Sequence, residues 1–182
     1  MSFIPDNVMG MTMLESIYQY DLKLLLWCRK SRYYPTFLTF IRAISKTGDG
    51  YMQALVPCLY FLVNPIDGLV FIKLAVIAFT VERLIYFILK NKLKRRRPPD
   101  IVPDFTSVVK ASDQFSFPSG HTMAAFLLAG LLMLTIGIAA WPLYLWAITV
   151  AFSRVVLGVH FPTDTIAGAL LGTLIAIMVV NN

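Results

Sequence analysis

Long stretches without a charged residue dominate the C-terminal half of the chain. Residues 122–141 form a run of 20 residues with no charge, and residues 165–180 are uncharged throughout. A helix of about 20 apolar residues matches the roughly 30 Å hydrocarbon core of a bilayer. The chain is 58% hydrophobic and 14% charged, against about 25% charged in soluble domains, and its mean hydropathy is +0.70. It is therefore predicted to be an integral membrane protein.

The same pattern predicts an all-α fold: an integral-membrane helical bundle with about five to six spanning helices and an N-terminal amphipathic helix. Candidate spans, which are apolar and separated by short breaks except for one long polar loop at residues 91–117, cover residues 51–63, 67–90, 122–141, 142–159 and 165–180. Before them, residues 12–28 mix polar and apolar side chains at helical spacing, as expected of a helix that lies on the bilayer or covers the bundle. Residues 1–11 are expected to form an irregular start.

The length of the chain allows one domain, which the pattern divides into two parts. Residues 1–47 are predicted to be an N-terminal amphipathic or interfacial segment, and residues 48–182 a transmembrane core. Residues 35–64 can form either one span or an interfacial helix followed by a span. The two interpretations remain open at this point.

Two pairs of residues inside the predicted spans carry expectations about packing. Gly168 and Gly172 have the spacing that lets two helices approach closely, and packing within the chain is favoured over a dimer contact. Glu82 and Arg83 are costly in an apolar segment and are expected to pair with each other or with neighbours in the bundle.

The net charge of +6 is concentrated in one segment. Six basic residues fall within eight positions: Lys90, Lys92, Lys94, Arg95, Arg96 and Arg97. Arg95 and Arg96 are expected to contact headgroups or the bilayer rather than to take part in catalysis. Nucleic acid is not an expected partner, because a membrane bundle leaves no soluble binding face. Cys28 and Cys58 show no metal-ligand or disulfide spacing, and no signal peptide is expected at the N-terminus.

Three clusters of polar residues stand at the ends of the apolar segments. The first is Lys90, followed by six residues and Arg97-Pro98; the second is Pro118-Ser119-Gly120-His121; the third is Ser153-Arg154, five residues, His160, three residues and Asp164. Because successive spans cross the membrane in opposite directions, all of these ends lie at the same face. The clusters are therefore predicted to form one site.

The residue types in this set suit a phosphoryl group. Lys90, Arg97 and Arg154 supply three cations, and the arginines add bidentate donors. Ser119 and Gly120 stand at the start of a helix, whose free N–H groups and positive dipole end favour an anion. Glycine also lets a phosphate approach the backbone closely.

His121 and His160 are the only two histidines in the chain. One can attack phosphorus while the other protonates the departing oxygen. Asp164 follows His160 closely enough to accept its ring N–H and fix its tautomer, although it could instead pair with Arg154. A metal site is disfavoured, because two histidines and one aspartate would stand among three cations.

The three clusters resemble the three-part signature of the type 2 phosphatidic acid phosphatase superfamily, K-x6-RP, PSGH and SR-x5-H-x3-D. Every signature residue is present and in order, and the resemblance covers roughly residues 48–180, including the Gly48-Asp49-Gly50 turn. The superfamily also includes glucose-6-phosphatase and haloperoxidases, so the resemblance alone does not specify a single activity. Haloperoxidases are disfavoured, since those enzymes are soluble and much larger.

The resemblance implies a phosphohistidine mechanism without a metal ion or other cofactor. In such a mechanism His160 is the nucleophile, Asp164 orients it, and His121 is the general acid that protonates the leaving oxygen. The residues that the resemblance assigns to the phosphate are Lys90, Arg97, Ser119, Gly120 and Arg154.

The implied substrate is a lipid phosphate, either a phosphomonoester or a diphosphate. Candidates are phosphatidylglycerophosphate, undecaprenyl diphosphate, a lipid A phosphate and phosphatidic acid, and the sequence does not choose among them or predict an oligomeric state. A catalytically inactive lipid-binding or transport relative with the same fold is the alternative. Such relatives are expected to lose a signature histidine or arginine, and none is missing here.

Charge and resemblance point to opposite orientations in the membrane. In the predicted topology, all of the 16 Lys and Arg residues except Lys73 fall at or toward the catalytic face when Arg83 is counted with it, so the positive-inside rule places that face in the cytoplasm. The resemblance implies a site outside the cytoplasm. Because the phosphate itself requires several of these cations, the prediction is a bacterial inner-membrane protein with its active site at the periplasmic face.

Overall fold

The computed structural model describes residues 12–29 and 34–182, and within these ranges all regular structure is helical. The α-helices are α1 (Met13–Arg29), α2 (Tyr34–Thr47), α3 (Tyr51–Val63), α4 (Pro65–Leu93), α5 (Pro98–Ile101), α6 (Gly120–Ile136), α7 (Trp141–Val156) and α8 (Pro162–Val180). A short 3₁₀ helix, Gly137–Ala140, joins α6 to α7. The predicted all-α class is confirmed, and the predicted irregular start at residues 1–11 lies outside the described residues.

Turn-forming residues separate the N-terminal helices. Gly50, with a φ of 103°, precedes α3, a left-handed backbone conformation that glycine adopts without steric cost. Asn64 ends α3 and caps α4, whose first residue is Pro65. Residues 35–64 are therefore mostly two helices, α2 and α3, joined by a turn at residues 48–50.

Helix α6 is the centre of the bundle. Ten of its residues, from Thr122 to Leu132, are buried. A Cβ added at Gly168 of α8 would lie 2.7 Å from the Ser119 carbonyl oxygen, and one at Gly172 would lie 2.2 Å from that of Met123. Only glycine permits this approach, so the expected packing of the glycine pair within the chain is confirmed.

Two continuous helical stretches, Gly120–Val156 and Pro162–Val180, are long and apolar enough to cross a membrane. The first turns back on itself after Gly137, because α6 and α7 pack against each other through Ala125, Ala129, Ala147 and Val150. The start of α6 and the end of α7 therefore lie at the same end of the bundle. The number of crossings made by the other helices stays a prediction.

The outer surface of the bundle is apolar. Along α8, Ile166, Leu170 and Leu174 are each more than half exposed and recur every fourth residue. Such a stripe suits contact with lipid rather than water. The two charged residues in the middle of α4 pair with each other, as expected. Glu82 is completely buried and accepts two hydrogen bonds from Arg83.

Helix α1 is attached to the bundle by part of its surface. Asp21 and Leu25 are 1% exposed. By contrast, Leu24, Leu26 and Trp27 are 50%, 49% and 72% exposed. The buried leucine packs with Phe105, Val155 and Phe161. The buried aspartate lies at the site described next.

Candidate active site

A cavity of about 750 Å³ opens where the polar ends of the helices meet. Five of the predicted site residues line it: Arg97, Gly120, His121, Arg154 and His160. The other three, Lys90, Ser119 and Asp164, are buried beside the cavity and are not part of its wall. The folded chain thus brings all three clusters to one place.

His160 lies on the short connection between α7 and α8 and is 2% exposed. Its Nε2 atom is 3.5 Å from a guanidinium nitrogen of Arg97. Burial lowers the pKa of His160 to about 4, and the charges of Arg97 and Arg154 act in the same direction, against the opposing effect of Asp164. The ring is therefore neutral at pH 7, with Nε2 available as a nucleophile on the cavity side.

Asp164 stands in the first turn of α8 and is completely buried. Its Oδ2 atom is 3.7 Å from Nδ1 of His160, which is too long for the predicted hydrogen bond. The same oxygen accepts hydrogen bonds from the Ser116 hydroxyl and, at 2.8 Å, from the Phe161 N–H. Nδ1 of His160 has no hydrogen-bond partner among the described residues.

The cation that pairs with Asp164 is Arg95, at 2.7 Å, and not Arg154. Arg95 also donates to Thr163 and to Asp21, each at 2.7 Å. The expectation that Arg95 contacts headgroups is therefore wrong, because its guanidinium is turned inward to two buried carboxylates. Nothing in a run of basic residues indicates which of them turns inward.

Lys90 and Arg97 share an acidic partner. Nζ of Lys90 lies 2.8 Å from the carboxylate of Asp113 and 2.8 Å from the Tyr86 hydroxyl. Arg97 donates to both the carboxylate and, at 3.1 Å, the carbonyl oxygen of Asp113, and also to the Val159 carbonyl. Burial on its own would raise the pKa of Asp113, but hydrogen bonds from Lys90 and Tyr86 together with the positive charges of Lys90 and Arg97 outweigh it and lower the pKa to about 2. One carboxylate thus forms ion pairs with two of the three predicted phosphate-binding cations.

Arg154 is held differently. It stands in the last turn of α7, is 7% exposed, and donates from Nη1 to the Ser45 hydroxyl of α2 at 2.6 Å. Its Nε atom is buried and has no hydrogen-bond partner among the described residues. Because Arg154 lines the cavity, its charged guanidinium can bind an anion there, and the unpaired Nε donor would gain a partner if the side chain shifted toward that anion.

The second cluster begins α6. Nε2 of His121 is hydrogen-bonded to the Asp49 carboxylate, which belongs to the turn before α3. The Ser119 hydroxyl lies 3.0 Å from that of Thr122, and the residue is completely buried and is not part of the cavity wall. Gly120 lies against Tyr86, because a Cβ added there would be 2.8 Å from that ring.

Several residues of the site have no place in the three clusters. They are Asp21, Ser45, Asp49, Arg95, Asp113 and Ser116. Of these, Asp49 alone carries a signal in the sequence, since it lies in a Gly-Asp-Gly turn beside a predicted span. Asp21, Ser45 and Asp113 come from other parts of the chain, and Arg95 and Ser116 lie in or beside a cluster at positions that the signature leaves open. Spacing therefore gives no indication of their contacts.

Comparison with known proteins matches the region that contains the three clusters. A family model described as the PAP2 superfamily matches residues 70–182. Among curated proteins, the bacitracin transport permease protein BcrC of Bacillus licheniformis is 33% identical over 129 residues, which cover 71% of this chain and 64% of that protein. Two further curated relatives are matched over 60% and 52% of their lengths. The chain therefore spans less than two thirds of the length of each of these three relatives.

Two solved structures share the fold. The crystal structure of Aquifex aeolicus LpxE has a TM-score of 0.77 and 26% identity, and the match covers 88% of this chain and 94% of that one. A transmembrane PAP2-type phosphatidylglycerolphosphate phosphatase from Bacillus subtilis has a TM-score of 0.72 and 27% identity, covering 91% of this chain and 85% of that one. The helical bundle is thus that of known PAP2 proteins.

Proposed function

Because the chain belongs to the PAP2 superfamily, as the three clusters predicted, we propose that it is a metal-independent phosphatase that hydrolyses a lipid phosphate through a phosphohistidine. The observation that carries this proposal is the set of three side chains that line the cavity, His160, Arg97 and Arg154. The imidazole of His160 is neutral at pH 7, and beside it lie the guanidinium groups of Arg97 and Arg154, one with an unpaired buried nitrogen.

In the proposed reaction, Nε2 of His160 attacks phosphorus and the bond from phosphorus to the lipid oxygen breaks. His121 gives its proton to that oxygen, and the lipid leaves as an alcohol, or as a monophosphate if the substrate is a diphosphate. The positive charge that develops on the His160 ring is offset by Asp164, which lies 3.7 Å from Nδ1. Water then attacks the phosphohistidine, His121 accepts its proton, and inorganic phosphate is released.

Phosphate binding requires an exchange of partners. We assign the phosphoryl oxygens to Arg97, Arg154 and Lys90, together with backbone N–H groups at Gly120 and the start of α6. Ser119 positions the start of α6 and does not itself bind the phosphate, because its hydroxyl is buried beside that of Thr122 and its N–H donates to the Asp164 carbonyl oxygen. The carboxylate of Asp113 must leave Lys90 and Arg97 before the phosphate can take its place.

The chain is a membrane protein, as its apolar helices and PAP2 relatives indicate. The cavity wall includes Phe79, Ala124 and Leu157 as well as the charged residues, so a lipid can place its phosphate there while its tails stay in the hydrocarbon. We propose phosphatidylglycerophosphate, undecaprenyl diphosphate, lipid A phosphate and phosphatidic acid as candidate substrates. We further propose that the site opens at the periplasmic face of a bacterial inner membrane.

Release of inorganic phosphate from the four lipids, by the purified chain in detergent with EDTA present, tests the proposal. His160→Ala should lower the rate by at least about 1,000-fold, since the nucleophile is lost, while the protein still elutes and melts like the wild type. A base-stable, acid-labile phosphoryl label should form on the wild type and not on the variant. Lipid binding without phosphate release from any of the four would favour the inactive or transport relative instead.

A further inference from the structure

Arg95 joins two buried carboxylates that are far apart in the sequence. It donates one hydrogen bond to Asp164 Oδ1 and another to Asp21 Oδ2, each at 2.7 Å. The carbon at the centre of its guanidinium also lies 4.3 Å from the centroid of the Phe161 ring, which fixes the plane of the group. Asp21 and Asp164 are 1% and 0% exposed, so Arg95 compensates two charges that water does not reach.

Asp21 is itself held at the start of α8. It accepts hydrogen bonds from the Thr163 N–H, at 3.0 Å, and from the Thr163 hydroxyl. Thr163 directly precedes Asp164, so helix α1 is tied to the turn that presents Asp164 to the nucleophile. A helix that merely covered the bundle would have no need to bury an aspartate, because a buried carboxylate is costly unless it is paired.

The charges in this array suit a nucleophile that becomes positive. During phosphoryl transfer the His160 ring gains positive charge, which Asp164 stabilises. Arg95 alone would cancel much of that stabilisation, since its own positive charge sits on the far oxygen of the same carboxylate. Asp21 offsets Arg95, so that the array of Asp21, Arg95 and Asp164 retains one net negative charge beside the ring.

We propose that Asp21 and Arg95 are positioning residues of the phosphatase: Arg95 fixes the Asp164 carboxylate toward His160, and Asp21 fixes Arg95 and offsets its charge. This inference rests on the proposed phosphohistidine reaction. It gives helix α1, which lies before the region matched by the family model, a part in the active site.

The first test is steady-state kinetics of Arg95→Gln, Arg95→Lys and Asp21→Asn on the lipid that the wild type hydrolyses fastest among the four. Arg96→Gln is the matched control, because Arg96 is the adjacent arginine, is exposed and loses the same charge. Arg95→Gln should lower kcat by about 10- to 100-fold with KM changed less than about 3-fold. Arg95→Lys should recover part of the loss, Asp21→Asn should lower kcat by about 3- to 10-fold, and Arg96→Gln should stay within about 2-fold of the wild type.

The second test does not depend on activity. With ¹⁵N-labelled histidine and His121→Gln as the background, His160 is the single histidine signal, since the chain has 2 histidines. Arg95→Gln removes a positive charge and should raise the pKa of His160, whereas Asp21→Asn removes a negative charge and should lower it. Simple loosening of the structure would admit water and raise the pKa in both variants, so the opposite directions identify the charge array.

The outcomes separate this inference from the proposed function. If the wild type and Arg96→Gln are active and Arg95→Gln matches them, the positioning role is overturned and the phosphatase stands. If the pKa of His160 rises in both variants, Asp21 and Arg95 only support the fold and the inference is also overturned. If the wild type releases no phosphate, the proposed function fails, and the titration still decides whether the array acts on His160. Where Arg95→Gln does not fold, Arg95→Lys and Asp21→Asn carry the kinetic test, and Asp21→Asn alone carries the titration, in which a rise in the pKa of His160 overturns the inference.

Discussion

At the scale of single residues, the site separates the side chains that do chemistry from those that hold them. His160 faces the cavity through Nε2, while its other nitrogen faces Asp164 at 3.7 Å. The Phe161 N–H and the Ser116 hydroxyl hold that carboxylate, and a shortening of about 0.5 Å or more would complete the hydrogen bond to Nδ1. Formation of positive charge on the ring would favour this movement.

The buried environment of His160 predicts that its ring is protonated only at an unusually low pH. Because its pKa is lowered to about 4 from the ordinary 6.5, the ring stays neutral and nucleophilic down to that pH and is inactivated only as the pH falls through it. The ¹⁵N signal of His160 in the His121→Gln protein should therefore titrate near pH 4. A midpoint near 6.5 would contradict the buried, cation-flanked setting, and free histidine in the same detergent is the reference.

Asp113 predicts a second effect at this scale. With a pKa of about 2 it is ionised at every working pH and competes with phosphate for Lys90 and Arg97. Asp113→Asn removes the competing charge, so orthophosphate should inhibit this variant about 10-fold more strongly than the wild type, with kcat changed less than about 3-fold.

Inhibition constants for orthophosphate measure this competition. Asp104→Asn is the control, because Asp104 lies in the same loop, is exposed, and has a left-handed backbone that asparagine also tolerates. Weaker inhibition in Asp113→Asn, together with a large loss of kcat, would show that the carboxylate holds the cations in place instead of competing for them.

At the scale of helices, the contact between α6 and α8 fixes the distance between two of the clusters. The backbone of α8 touches that of α6 at Gly168 and Gly172, just below the N-terminal ends that carry His121 and Asp164. The Ser119 N–H also donates to the Asp164 carbonyl oxygen at 3.1 Å. These ends can therefore move apart only if the helices separate.

Gly172→Ala tests this contact. The added Cβ would meet the Met123 carbonyl oxygen at 2.2 Å, and backbone atoms of both helices would have to shift. We expect a loss of about 2 to 4 kcal/mol in stability and at least about a 10-fold loss of activity. Thermal unfolding in detergent measures the first effect. Leu170→Ala, on the exposed face of the same helix, should leave the melting temperature almost unchanged, and an equal loss in both variants would contradict the argument.

At the scale of the whole molecule, the sequence predicted the class of fold and the meeting of the clusters. Uncharged runs and the break at Asn64-Pro65 mark the helices, and alternation of direction brings Lys90, His121 and His160 to one end. The division at residues 47 and 48, and the roles of the site residues, stay predictions.

The partners of the motif residues could not be predicted in the same way. Arg95 and Asp21 are separated by 74 residues, and Thr163 and Asp21 by 142, so neither periodicity nor spacing links them. Asp113 lies in an irregular loop whose path follows from its contacts with Lys90 and Arg97, and not from a local pattern. Only the assembled fold reveals these pairs.

Orientation is the property of the whole molecule that most needs measurement. In a background with Cys28→Ser and Cys58→Ser, an impermeant maleimide should label Gln114→Cys on intact cells, because Gln114 is exposed in the loop beside the cavity. Asn182→Cys, at the far end of α8, should react only after the cells are opened. The reverse pattern would place the active site in the cytoplasm, as the distribution of positive charge alone suggests.

The region matched by the family model begins at residue 70, yet three groups that hold residues of the site come earlier. Asp21 holds Arg95, Ser45 holds Arg154, and Asp49 holds His121. A truncated protein that started at residue 70 would therefore keep every motif and its reactive side chains. It would lose the three side chains that hold Arg95, Arg154 and His121 in position. In this fold, a complete signature specifies the reactive side chains of the site. The N-terminal helices, which carry no signature residue, supply part of the contacts that position those side chains.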